Sequence, residues 1–171
     1  MTLSIVAMLL VVMSWLGWQA IYSSVLSYQS VAISQRTAQQ FLLAEYALGQ
    51  AEQWLQQTPY NQIPAAVTEC AKTPCILIAH AAHFLPQQPS AWWQTPNNYA
   101  VLAVNMEAVD AHQAFYALEH LTDATTPEET FYRITAWALL TGESQATILQ
   151  TTWKKSLQPT SPDQRSAWRR W

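Results

Sequence analysis

The side chains best suited to chemistry are few and scattered. Histidine occurs at 80, 83, 112 and 120. His80 and His83 stand three apart in what reads as the end of a strand, without the glutamate and the i, i+4 helical spacing that place two imidazoles and a base on one zinc-hydrolase face. Glu107, Asp110 and His112 form a looser group in a loop, offering donors but no complete ligand set. Both groups read as solvated loop side chains. Glycine occurs at 17, 49 and 142 alone. Neither a serine nucleophile elbow nor a phosphate-cradling glycine loop can be built from that supply. The sequence therefore predicts no enzyme, no catalytic residue, no cofactor and no metal.

Cys70 and Cys75 are the only cysteines, separated by Ala71-Lys72-Thr73-Pro74, a turn-forming spacer that can bring the sulfurs together. Outside the cytoplasm this pair reads as a local disulfide. Closing so short a loop restricts the unfolded chain by about 2 kcal/mol on the loop-entropy model. Two free thiols, or half of a zinc site lacking its other ligands, are the alternatives.

With so little reactive chemistry, the informative feature is the element that opens the chain. The first charged side chain is Arg36. Residues 3–22 are apolar and about long enough to cross a hydrocarbon core of roughly 30 Å at 1.5 Å per residue. A basic leading region and a small-residue cleavage site are missing and the helical pattern does not stop, so a cleavable signal peptide is not expected. No proline precedes Pro59, so one helix of roughly 80 Å over residues 1–57 is predicted. Its second half is amphipathic. Phe41, Ala44, Leu48, Ala51 and Leu55 recur at steps of three and four, opposite Gln39, Gln50, Gln53 and Gln57. Thr58-Pro59 ends it, because proline brings no backbone donor.

Residues 58–154, with the second half of the helix, are expected to make one globular unit. Pro59 to Pro74 reads as a loop over the helix, 75–79 as a short strand, and Pro86 to Asn98 as a second loop. Trp92 and Trp93 in that loop offer either a partner contact or packing over the sheet edge. Strands are expected at 99–104 and 115–121. Residues 131–141 and 145–153 form the clearest hairpin, turned at Gly142. Tyr132, Ile134, Ala136, Ala138 and Leu140 alternate onto the face laid against the helical stripe. The fold class is α+β: a long N-terminal helix, transmembrane in its first half, packed on a small antiparallel sheet. Residues 155–171 read as a flexible tail, whose Trp168 and Trp171, flanked by arginines, are candidate partner contacts. The net charge of −3 and the lack of a basic block before the tail point away from nucleic acid.

The M-T-L-x-x opening, the apolar half-helix that continues into an amphipathic half, and the small sheet after it resemble a mature type IV pilin or pseudopilin. Leu43-Ala44-Glu45-Tyr46-Ala47-Leu48-Gly49-Gln50-Ala51-Glu52-Gln53-Trp54-Leu55 is similar to the stretch after the membrane segment of PilX-type minor pilins. Tyr132-Arg133-Ile134-Thr135-Ala136 and Ala146-Thr147-Ile148-Leu149-Gln150 look like the closing hairpin of that group. The resemblance covers the helix and the last hairpin, and little of the middle. It implies that Met1 is the residue left by prepilin processing, with a methylated amine. It also implies that Ile5, Ala7, Ser14 and Gly17 pack in a filament core, where small residues permit close helix approach.

One departure is informative. Most pilins carry glutamate where this chain has Ile5, and that carboxylate is understood to pair with the amino terminus of the neighbouring subunit. A subunit with Ile5 avoids the insertion cost of about 2.5 to 3.5 kcal/mol for a buried charge, but cannot make the pair. PilX-type minor pilins and the tip pseudopilin of type II secretion share this lack. The implied role is a tip-located minor pilin of a type IV pilus that helps initiate assembly. Before assembly it would sit in the inner membrane with its domain periplasmic, and afterwards at the pilus tip on the cell surface. Its partners would be other minor pilins, the major pilin and a tip adhesin, in a fimbrium serving adhesion or motility. Calcium, bound by type II tip pseudopilins, is not carried over, since no Asp/Asn-rich loop is present. A type II secretion pseudopilin is the alternative within the class. A single-pass membrane protein with a periplasmic binding or sensing domain is the alternative outside it.

Overall fold

The computed structural model describes residues 2–79, 85–95, 98, 100–104, 113–121, 129–156 and 163–170. The chain divides into two compact units, Met1–Ala38 and Gln39–Trp171. Helix α1 covers Thr2–Gln57. It stops where the sequence predicts. Thr58 returns both its amide, at 3.0 Å, and its hydroxyl, at 2.7 Å, to the carbonyl of Trp54, and Pro59 then prevents another turn. A second device closes the end: the buried Lys155 ammonium donates to the carbonyl of Leu55 in the last turn. A cation there satisfies an acceptor the helix cannot use and suits the negative end of its dipole.

Among the described residues the sheet has six strands. They are β1 Leu77–Ile78, β2 Val101–Ala103, β3 Gln113–Leu121, β4 Glu129–Leu139, β5 Thr147–Ser156 and β6 Gln164–Arg170. Their order is β1-β3-β4-β5-β6, with β2 also on β3. All pairs are antiparallel except β1 with β3. The β4–β5 hairpin sets Ile134 opposite Thr151 and Ala136 opposite Leu149. Gly142 turns it at φ 85°, a left-handed backbone that glycine adopts without steric cost.

The predicted stripes meet. Ala44, Ala47 and Leu48 pack with Ala114, Ala136, Ala138 and Leu149. Lower on the helix, Ala51 and Leu55 pack with Tyr116, Leu118, Tyr132, Ile134 and Trp153. Leu140 is buried as expected. Alanines at 44, 47 and 51, all at 0 % exposure, let the helix backbone lie close to the sheet. The α+β class is thus as expected.

Two segments differ from the sequence reading. Residues 86–98, expected as a loop, hold a 3-10 turn at Leu85–Gln87 and a short helix α2, Ser90–Gln94. The carbonyls of α2 are satisfied by side chains just beyond it, Thr95 Oγ1 to Ala91 O at 2.7 Å and Asn98 Nδ2 to Trp92 O at 2.9 Å. Trp93 is thereby buried with Leu85, Ala117 and Trp137 in a second core on the sheet face away from α1. Residues 155–171, expected as a flexible tail, contain β6, which continues the sheet beyond β5. The strand is drawn in by contacts distant in sequence. Arg165 makes a two-pronged pair with Glu52, Nε to Oε1 at 2.8 Å and Nη2 to Oε2 at 2.9 Å. Trp168 meets Phe41 edge-on at 6.0 Å between centroids.

Candidate functional site

Among the described residues an extended apolar surface covers the first part of α1. Its apolar side chains lie open: Ile5 at 60 %, Leu10 at 64 % and Trp18 at 70 % exposure. One window of this helix reaches a mean hydropathy of 1.8, enough by length and composition to cross a membrane. Four of the hydroxyls farther along are engaged locally. Ser23, Ser27, Ser30 and Thr37 each donate to a carbonyl one turn earlier, so the donor of each hydroxyl is satisfied within the helix. Ala7 and Ser14 are exposed on the same segment. A Cβ added at Gly17 would touch nothing within 4 Å, so the space beside it is open. Met1 lies outside the described residues.

In the sheet unit the cysteine reading resolves. Cys70 and Cys75 are joined, with Cα atoms 5.9 Å apart, and no free thiol remains. His80, His83, Glu107, Asp110 and His112 lie outside the described residues. Among the described residues no group of three or more His, Cys, Asp or Glu could hold a metal. Trp93 is 1 % exposed and stacks on Trp137 at 6.3 Å, so it is core rather than a partner contact. Trp92 is half-buried edge-on against Trp93. Trp168 keeps 43 % of its surface exposed while seated on Phe41. Trp171 lies outside the described residues.

No family model, curated protein or solved structure matches this chain.

Two polar sites in the sheet unit were not singled out by sequence. His120 meets the Tyr132 ring at 5.6 Å, beside a cavity of about 250 Å³ that Tyr60, Ile63, Ala66 and Ile76 also line. Burial holds the His120 imidazole below its usual range. Burial, with the neighbouring Tyr60, pushes the Tyr132 phenol up to about 12. At neutral pH this cavity is therefore uncharged, with polar and apolar surface in its wall in about equal measure. The second site lies on the opposite sheet face. Glu119 is 1 % exposed, and its Oε2 makes no hydrogen bond. The closest charge, Arg133 Nη1 on the facing strand, stands 3.8 Å from that oxygen, beyond hydrogen-bond reach. Burial pushes the Glu119 carboxyl up to about 7, against the opposing pull of Arg133. Beyond Arg133 a cleft of about 180 Å³ opens between it and Arg169 of β6, with Gln150 and Thr152 in its wall. The sequence carried one signal for this site: Glu119 is the one acidic residue of the strand, following Phe115 and Ala117 on the alternate positions that face away from α1.

Proposed function

We propose that this protein is a minor pilin of the PilX type, a non-enzymatic tip subunit that helps initiate type IV pilus assembly. The observation that carries this reading is the change of role along α1: exposed and apolar over its first half, then buried against an antiparallel sheet from Ala44 to Leu55. That division suits a subunit stored in a bilayer and later transferred to a bundle of like helices, where packing replaces lipid contact. Ile5 supports the tip position, because it removes the carboxylate that would bond to a neighbour's amine. The disulfide supports a periplasmic or surface location for the sheet unit.

Deletion of the gene tests the proposal. Surface filaments are expected to fall sharply while the major pilin is still made, and to return when the gene is restored. Normal piliation in the deletion strain would overturn the initiating role.

A further inference from the structure

We infer that the cleft between Arg133 and Arg169, on the sheet face away from α1, is a docking site for a carboxylate side chain borne by an extended segment of a neighbouring protein. It rests on the filament reading for the nature of that neighbour, a fellow subunit. The cleft itself stands on its own geometry.

Charge complementarity identifies the occupant. The chain as a whole carries a net charge of −3, so a concentration of cations is not a by-product of a basic protein. β6 nevertheless reads Gln164-Arg165-Ser166-Ala167-Trp168-Arg169-Arg170, with three arginines and no acid. Arg165 is neutralised by Glu52, and Arg170 lies over the ring of Phe41 at 5.9 Å. Arg169 faces the other way. It pairs in register with Gln150, whose side chain is turned to the outer face and donates to Thr135 at 3.0 Å. Among the described residues Arg169 has no carboxylate partner. Among the described residues the acidic partner of Arg133, across the cleft, is the buried Glu119, too far for a hydrogen bond and partly protonated at neutral pH because burial raises its carboxyl to about 7. Two guanidiniums therefore line one opening with their donors largely unspent, and a planar carboxylate matches that donor geometry.

Size and position agree. A water takes about 30 Å³ of liquid, so a cleft of about 180 Å³ has room for an acidic side chain together with waters that bridge it to the walls. Lys154, two positions beyond Thr152 on the same face of β5, brings the nearby cations to three, which still suits a carboxylate better than a nucleic-acid backbone, where many phosphate contacts in a row are made. Among the described residues β6 is also the last strand on its side of the sheet, so the free edge of its backbone lies beside the cleft. An extended segment laid there can bond main chain to main chain and place every second side chain on the Arg169 face.

The test uses the full chain in lipid nanodiscs with labelled arginine side chains. The probe is the peptide Ac-Ser-Glu-Thr-Glu-Ser-NH2, compared with its glutamine counterpart. Saturable shifts of the Arg133 and Arg169 Nε–H signals are expected with the glutamate peptide and not with the glutamine one. Affinity should drop about tenfold or more in R169Q, as loss of a charge-assisted bond implies. The double variant R133Q/E119Q, which leaves no unpaired charge inside, should drop by a similar factor. Equal responses to the two peptides, or unchanged affinity in R169Q, overturn the site. Tighter binding of a single-stranded oligonucleotide than of the peptide overturns it in favour of nucleic acid. Because no filament is involved, failure here is distinct from normal piliation in the deletion strain, which would remove the filament reading and leave the cleft standing.

Discussion

Glu119 is the residue whose position is hardest to reconcile with simple packing, since a carboxyl is buried on β3 with one oxygen unbonded. Its consequence is a dependence of stability on pH. The carboxyl rises from 4.5 to about 7 on folding, so between those values the folded chain binds more protons than the unfolded one. Stability from this group is complete below pH 4.5 and is lost as pH rises through about 7. At 1.36 kcal/mol per unit the swing is about 3 kcal/mol. Urea denaturation of the wild type at pH 5 and pH 8 is expected to show a loss of that order, and E119Q, which keeps the shape and discards the titration, should remove it. A slope retained in E119Q would show that the pH dependence comes from elsewhere.

At the scale of elements, the question is what holds β6 and the end of α1 together, and two cations give different answers. Lys155 is buried. It donates to the Leu55 carbonyl and stands 3.4 Å from Asp163 Oδ2, while Asp163 Oδ1 accepts the Ser156 amide at 3.0 Å. Arg165, with 40 % of its side chain exposed, makes the better geometry with Glu52 but in water-screened surroundings. K155A is therefore expected to cost about 2 to 3 kcal/mol, as a buried charge-assisted bond does, and R165A less than about 1 kcal/mol. Urea midpoints of the two variants decide it, and equal losses would mean that exposure does not govern these contacts. The same region shows where sequence stops being legible. The stripe from Ala44 to Leu55 and the hairpin turned at Gly142 could be read because each is periodic within itself. β6 could not. Gln164 to Arg170 has neither β-branched residues nor alternation, and it becomes a strand through Glu52 and Phe41, over a hundred residues away. Trp93 was ambiguous for a related reason: a tryptophan between prolines is apolar in either setting, and only its stacking on Trp137 makes it core. Cys70 and Cys75 were readable as a disulfide given a compartment, because their spacer is short and turn-forming.

For the whole molecule, the open apolar surface of the first helix unit and the separately cored sheet unit divide the work between them. On the proposed reading the first exchanges lipid for other helices, while the second is held by its own cores. On the proposed reading, position in the filament then depends on Ile5, which lies 60 % exposed. A glutamate there would cost about 2.5 to 3.5 kcal/mol in the bilayer, recovered where the amine of an adjacent subunit can pair with it. I5E is therefore expected to relax the restriction to the tip. Gold labelling of sheared filaments should mark wild-type subunits at one end, and I5E subunits along the shaft as well, at equal cellular levels of the two proteins. Ile5→Leu separates charge from shape, since it keeps the residue apolar and should leave labelling at the tip. Wild-type labelling along the shaft would show that an apolar residue at this position does not confine the subunit, and would remove the argument that places it at the end.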